Sequence, residues 1–108
     1  MRRFAALNRQ ADFARLRRHG RRSSTKHLVI YRSDSPAGER RALVGITVSK
    51  SIGKAVTRNK LRRRLAAILH EVLGQDAAMR LLVIARSDAG GAAFADLRAE
   101  LASALIRA

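Results

Sequence analysis

The sequence contains no cysteine and no tryptophan, and it has a single proline. Without cysteine the chain can form no disulfide, no thiolate metal site and no cysteine nucleophile. Aromatic residues are also scarce, so Val, Ile, Leu and Ala must supply most of the core; the aromatic residues are Phe4, Phe13, Phe94 and Tyr31. The length of 108 residues suits one compact domain rather than two, and residues 1–108 are interpreted as a single domain.

Acidic residues are few as well, because 8 Asp and Glu stand against 23 Lys and Arg, a formal net charge of +15. Such a charge favours a polyanionic partner, either nucleic acid or an anionic membrane. The apolar runs, such as Leu28–Tyr31 and Leu81–Ala85, are far shorter than the roughly 20 residues of a membrane-spanning helix. No apolar run follows Met1, so no secretory signal is expected; an Arg-rich transit peptide is the weaker alternative. We therefore expect a cytoplasmic, nucleic-acid-binding protein without a membrane partner.

Catalytic and metal-ligating arrangements are also missing from the sequence. The three histidines are scattered without metal-ligand spacing, and surface or capping roles are expected for His19, His27 and His70. A stand-alone nuclease would need paired acids to hold its metal ions, and no such pairing is present among Asp34, Glu39, Glu71 and Asp76. We expect no catalytic residue and no metal ligand on this chain.

Apolar periodicity and turn residues predict the element order α-β-β-α-β-α. Residues 1–8 are interpreted as a basic tail that packs through Leu7, and Arg9–His19 as a helix that Gly20 ends. Strands are predicted at Lys26–Arg32 and Arg41–Ser49, and the loop that holds Pro36 and Gly38 is expected to join them as an antiparallel hairpin. Gly45 within the second strand indicates a bulge or a close backbone approach.

The second half of the chain predicts a long helix, a buried strand and a final helix. The long helix runs from about Ala55 to Leu73 and places one apolar stripe on a single face: Leu61, Leu65, Ile68 and Val72. Met79–Arg86 is predicted as a strand, and its run Leu81–Ala85 holds no polar residue, which is typical of a strand buried on both faces, often in parallel pairing. Ala92–Arg107 is a last helix with Phe94, Leu97, Leu101 and Leu105 on one face. Helices covering a small sheet make an α+β sandwich.

The most informative segment lies between Glu39 and Glu71, where no acidic residue occurs. The same stretch holds nine cations: Arg40, Arg41, Lys50, Lys54, Arg58, Lys60, Arg62, Arg63 and Arg64. Cations at the start of a helix oppose its dipole, so a bound polyanion explains them better than a merely solvated face. Phosphates can lie between the loop amides near Gly53 and these side chains. Asn59, a neutral amide in this run, is either a base or ribose contact or a brace for the loop.

The run Gly53–Leu65 resembles the Arg-Asn-Arg signature helix of the bacterial ribonuclease P protein component. Further segments fall in that family's order and spacing: Asp12-Phe13, Leu28–Tyr31, Val44–Lys50, Val83–Arg86 and Phe94–Leu97. The resemblance covers about residues 7–107. It implies an α-β-β-β-α-β-α sandwich with a small central sheet and a left-handed βαβ crossover (ribosomal protein S5 domain 2-like). The additional strand would be Arg21–Ser24.

The resemblance also implies a function and a division of labour. The protein would bind a large catalytic RNA and the 5′ leader of precursor tRNA, and would assist magnesium-dependent endonucleolytic removal of that leader. The RNA would hold the Mg²⁺ ions, and the protein would be its non-catalytic cofactor. The signature assigns to the catalytic RNA Ser49, Lys50, Lys54, Arg58, Asn59, Lys60, Arg62 and Arg63. The leader would contact Phe13, Arg17 and Tyr31 in a cleft between the first helix and the sheet.

The sequence departs from the family pattern at Arg17, at Lys60 and at the end of the signature, where Ala66, Ala67 and Ile68 differ from it. Arg17 stands where a second aromatic residue is common, so leader contact is expected to shift from stacking towards phosphate pairing. Lys60 replaces a frequent arginine, a mild change, and Ala66 replaces a commonly basic residue. The C-terminal half of the signature helix is therefore expected to contact less RNA.

Two other interpretations are compatible with the composition. A ribosomal or other structural RNA-binding protein would share the charge, but not the long signature and its flanking matches. A DNA-binding regulator would present a short recognition helix in a helix-turn-helix pair. The strand-loop-helix context of Arg58 argues against that geometry, so no DNA partner is expected.

Overall fold

The computed structural model describes residues 4–7, 9–34, 42–73 and 78–106, and within them it forms five strands and three α-helices. In chain order these are β1 Phe4–Ala6, α1 Gln10–His19, β2 Arg21–Ser24, β3 Leu28–Asp34, β4 Ala42–Thr47, α2 Ala55–Val72, β5 Met79–Ala85 and α3 Phe94–Ile106. Single 3₁₀ turns occur at Lys50–Ile52 and Ala89–Gly91. None of the described helices is both long and apolar enough to cross a bilayer.

The strands form one mixed sheet in the order β1-β4-β5-β3-β2. β4 pairs in parallel with β1 and β5, and β3 pairs antiparallel with β5 and β2. The predicted strands Lys26–Arg32 and Arg41–Ser49 correspond to β3 and β4. The hairpin predicted between them is wrong, because β5 lies between β3 and β4 in the sheet. The uninterrupted apolar run of β5 explains the insertion, since such a strand needs a neighbour on each edge and cover on each face. The additional strand at Arg21–Ser24 is confirmed.

Helices cover both faces of the sheet. α2 and α3 enclose the main core, in which Leu61, Leu65 and Ile68 of the predicted stripe are buried against Leu81 and Val83 of β5. α1 covers part of the opposite face, where Leu16 meets Leu82. β5 is thus buried from both sides, as predicted, because successive strand residues point to opposite faces.

Two sequence predictions near the ends of the chain need correction. Phe4–Ala6, assigned to the basic tail, forms β1, and Phe4 is only 5% exposed. A three-residue strand is too short for alternation to reveal it. Phe94, placed on the apolar face of the last helix, is 40% exposed because it is the first residue of α3, whereas Leu97 and Leu101 are buried. The predicted loop at Pro36 and Gly38 lies outside the described residues, as do Arg40, Arg41, Asp76 and Arg107.

His27 is buried rather than at the surface, and it anchors the β2–β3 turn to α3. Its Nδ1 lies 2.6 Å from Oε2 of Glu100, and its backbone N–H donates to Oε1 at 2.8 Å. Partial burial by itself raises the pKa of the Glu100 carboxyl, but hydrogen bonds from His27 and Thr25 outweigh it and hold that pKa below its usual value. A second pair, Arg98 with Glu71 at 2.9 Å, joins α3 to α2 at the exposed surface.

Candidate nucleic-acid interface

Two buried apolar residues, Val48 and Ile52, anchor the loop before α2 to the main core. Between them the chain makes the 3₁₀ turn, with Ile52 N–H donating to Ser49 O at 3.1 Å and Gly53 N–H donating to Lys50 O at 3.2 Å. Gly53 then has φ +144°, a conformation that favours glycine. As a result Ser49, Lys50 and Lys54 are exposed around the start of α2.

The first turn of α2 contains no acidic residue, and Lys54 at the N-cap provides no side-chain hydrogen bond to the helix. The first N–H groups of an α-helix have no intrahelical acceptor, and the helix dipole places partial positive charge there. The free N–H groups and the nearby side chains of Lys50 and Lys54 therefore both favour an anion at this end of the helix.

The signature cations on α2 differ in how exposed they are and in whether other side chains hold them in place. Lys60 and Arg63 are exposed, whereas Arg58 is half-buried and its Nε has no hydrogen-bond partner within the described part of the chain. Arg62 Nη1 donates to Oδ1 of Asn59 at 2.9 Å, and its Nη2 lies 3.5 Å from the Val48 carbonyl oxygen. Asn59 Oδ1 thus accepts a hydrogen bond that holds the Arg62 guanidinium beside it on the surface.

No carboxylate neutralises these cations in the described ranges. The ion pairs found there are His27 with Glu100, Asp12 with Arg80, and Glu71 with Arg98. None of them involves the first three turns of α2 or the loop before it. The loop and the exposed side of α2 therefore form one uncompensated positive surface, called the α2 surface below: Ser49, Lys50, Lys54, Arg58, Asn59, Lys60, Arg62 and Arg63.

The segment after β5 supports this surface, a role that sequence patterns do not predict. A Cβ atom on Gly90 would lie 3.2 Å from both the carbonyl oxygen and Cγ2 of Ile52, so the glycine lets the Ala89–Gly91 turn approach Ile52 without displacing it. This contact backs the loop from which Lys50 and Lys54 project. A double glycine is its only trace in the sequence.

A second candidate surface lies between α1 and the sheet. The Phe13 ring rests on Gly45, where a Cβ atom would lie 2.5 Å from Phe13 Cε1, so the predicted close approach at this glycine is confirmed. Phe13 and Tyr31 are both half-buried and pack on the cluster formed by Leu7, Leu16 and Leu82. The structure thus packs both rings, which the resemblance assigns to a leader cleft, against one apolar cluster.

Arg17, the third residue that the resemblance assigns to the leader, is exposed one helical turn after Phe13. α1 is fixed in place by the Asp12–Arg80 pair at 3.2 Å. The α2 surface and the cleft are carried by helices on opposite faces of the sheet, so one chain offers two separate contact regions. Within the described residues no group of three or more His, Asp or Glu side chains is placed to hold a metal ion.

The family model and the relatives found by sequence comparison carry the same name. A family model described as Ribonuclease P matches residues 1–108. The ribonuclease P protein component of Thermobifida fusca is 38% identical over 106 residues, which cover 92% of this chain and 72% of that protein. The protein of the same name from Limosilactobacillus reuteri is 35% identical over 109 residues, covering 100% of this chain and 92% of the relative.

Solved structures agree with the sequence relatives. The Staphylococcus aureus RNase P protein superposes with a TM-score of 0.82 at 27% identity, over 94% of this chain and 92% of that one. The RNase P protein from Thermotoga maritima gives a TM-score of 0.80 at 24% identity, over 95% and 96% of the two chains, and shows the shared fold. The α+β sandwich predicted from the sequence is thereby confirmed.

Proposed function

The chain belongs to the ribonuclease P protein family, a component of an endoribonuclease complex, and we propose that it is the non-catalytic subunit that binds the catalytic RNA through the α2 surface. In this role it assists removal of the 5′ leader from precursor tRNA in the cytoplasm. Its partners are the ribonuclease P RNA and precursor tRNA, with no role for DNA or a membrane.

The observation that carries the proposal is the uncompensated charge of the α2 surface. Lys50, Lys54, Lys60 and Arg63 are exposed with no ion pair in the described residues, and Asn59 holds Arg62 ready for contact. Backbone phosphates that bind here release counterions, which supplies affinity and makes it fall with salt. The guanidinium of Arg58, with its unpaired Nε, gains a hydrogen-bond partner when an RNA oxygen approaches.

The cleft between α1 and the sheet is proposed to receive the single-stranded leader. Half-exposed rings at Phe13 and Tyr31 offer stacking that is worth about 1–3 kcal/mol per base and is tolerant of sequence, which suits an enzyme with many substrates. Arg17 adds a phosphate contact beside them. Because the two surfaces lie on opposite faces of the sheet, the same chain can hold the catalytic RNA and the leader together.

The chemical step is assigned to the RNA. The described residues provide no cluster suited to Mg²⁺, so the magnesium ions of the complex belong with the RNA in this proposal. The protein's own groups then bind and orient the two RNAs. Arginine and lysine side chains neutralise phosphates, and the rings hold the leader near the cleavage point.

The double variant Arg58→Ala/Arg62→Ala tests the α2 surface. We expect it to weaken binding to a bacterial ribonuclease P RNA by about tenfold or more, because hydrogen bonds to charged groups contribute about 1.5–3 kcal/mol each. The salt dependence of binding should also become shallower, by about 0.7–0.9 in slope for each phosphate that the variant no longer neutralises.

The matched control removes the same charge elsewhere. Arg21→Ala/Lys26→Ala also lowers the net charge by two, at exposed positions on β2 and in the turn after it, away from α2. It should change affinity little. Equal affinity of the two double variants at moderate salt, with both proteins folded, would contradict the role of the α2 surface.

A further inference from the structure

An open groove of about 260 Å³ runs between α2 and the β1–β4 edge of the sheet. Its inner wall is apolar, since Val44 is buried and Ile46 is half-buried. Arg62 and Arg63 are exposed and stand at its mouth. The groove therefore combines an apolar floor with two guanidinium groups, and it adjoins the α2 surface.

Small residues keep this groove open. Ala66 of α2 and Ala6 of β1 line its opposite walls, and a longer side chain at either position would occupy the space. β1 is an edge strand of only three residues, so no further strand of the described part of the chain covers this side. The two walls are distant in sequence and meet only through the pairing of β1 with β4.

We propose that the groove receives one unpaired base of the catalytic RNA, with the adjoining phosphates on Arg62 and Arg63. This inference rests on the proposed function and deepens it. The volume is below the range of about 300–1,000 Å³ for sites that take drug-sized ligands, which suits a single planar ring system. An apolar floor accepts the face of any base, and arginine both stacks on bases and forks onto phosphate.

The geometry favours an unpaired base over other occupants. Bases within an RNA duplex are paired and stacked, so their faces are covered and a base that enters a pocket must come from a loop, bulge or end. An apolar peptide would fit the floor, but two exposed arginines on a chain of net charge +15 select an anionic strand. The Arg62 guanidinium is already held by Asn59 and the Val48 carbonyl, so little ordering is needed on binding.

The variant Ala66→Leu tests the proposal because it fills the groove without changing charge. Its matched control is Ala67→Leu, the next residue on the same helix, which is exposed and outside the groove. Alanine and leucine are both strong helix formers, so α2 should persist in each variant. Affinity for a bacterial ribonuclease P RNA is measured across a salt series, together with the chemical reactivity of the unpaired RNA bases.

We expect Ala66→Leu to weaken binding by about 5- to 150-fold, the range that corresponds to loss of one stacked base, with an unchanged salt slope. The wild type and Ala67→Leu should protect one unpaired base from modification, and Ala66→Leu should expose it again. If Ala66→Leu loses stability, Ala6→Leu fills the groove from the exposed opposite wall and must give the same loss of affinity.

Two results would overturn the inference. One is that Ala66→Leu and Ala6→Leu bind like Ala67→Leu with an identical base-protection pattern. The other is that the wild type shows no RNA binding. Only the second also removes the proposed function, which is tested separately by Arg58→Ala/Arg62→Ala.

Discussion

The contact between Phe13 and Gly45 makes the packing of α1 on the sheet open to direct test through Gly45→Ala. The added Cβ would lie 2.5 Å from Cε1 and 3.2 Å from Cζ of the Phe13 ring. Non-bonded carbon atoms prefer separations of about 3.5–4.0 Å, so the ring has to retreat by about 1 Å. Because Phe13 is half-buried, it can relieve part of this clash by turning towards solvent.

The cost follows from these distances. Overpacking a well-packed site costs about 1–3 kcal/mol, and the partial freedom of the ring places Gly45→Ala at about 1–2 kcal/mol of unfolding free energy. In the double variant Phe13→Ala/Gly45→Ala the clash is gone. The stability loss of the double variant should therefore be smaller than the sum of the single losses by about 1 kcal/mol, well outside the roughly 0.3–0.5 kcal/mol within which independent sites add.

Equilibrium urea denaturation of the wild type, both single variants and the double variant measures this coupling. Gly91→Ala is the control, since a Cβ there meets no atom within 4 Å, and it should change stability by less than about 0.5 kcal/mol. Strictly additive losses, or a Gly45→Ala protein as stable as Gly91→Ala, would refute this account of the packing.

Other single contacts of the fold can be tested in the same way. Gly53→Ala places a side chain at φ +144° and should cost about 1–3 kcal/mol in the same urea assay; no loss would mean that the loop adopts another conformation. Glu100 has a lowered pKa in the folded state, so it stabilises the fold above its unfolded pKa, and this contribution disappears as the pH falls through the folded pKa. Glu100→Gln should therefore lower the free energy of unfolding at neutral pH and lower it less in acid. At neutral pH its loss should also exceed that of Glu71→Gln, which removes the carboxylate of the exposed pair with Arg98. Equal losses for the two variants would contradict this. Phe13→Ala or Tyr31→Ala should reduce the preference for precursor over mature tRNA in a binding competition, whereas unchanged preference would assign the rings to the core alone.

Local patterns in the sequence predict the helices and strands of this fold but not how the strands pair. The spacing of Leu61, Leu65 and Ile68 is enough to define the buried face of α2, because one helix carries the whole signal. The apolar run of β5 likewise predicts a strand buried on both faces. Strand partners are not encoded in this way. The sequence that joins β3 to β4 is typical of a hairpin loop, yet in the sheet β5 lies between the two strands.

The same distinction holds for the candidate site. The cationic run from Lys50 to Arg64 is visible in the sequence because charge and the absence of acids need no tertiary structure to be recognised. The sequence leaves two interpretations of Asn59 open, and it gives no sign of the hydrogen bond between Asn59 and Arg62, which depends on side-chain geometry. The groove between Ala6 and Ala66 depends on β1, whose three residues carry no pattern, so it cannot be predicted from the sequence.

The central proposal is tested most directly by mixing the full chain with a bacterial ribonuclease P RNA and a precursor tRNA at low magnesium, where the RNA alone is slow. The measured quantity is the rate of 5′-leader release. We predict strong stimulation by the wild type and much weaker stimulation by Arg58→Ala/Arg62→Ala. No stimulation by the wild type, with tight RNA binding still present, would contradict the proposal and favour a ribosomal or general RNA-binding role.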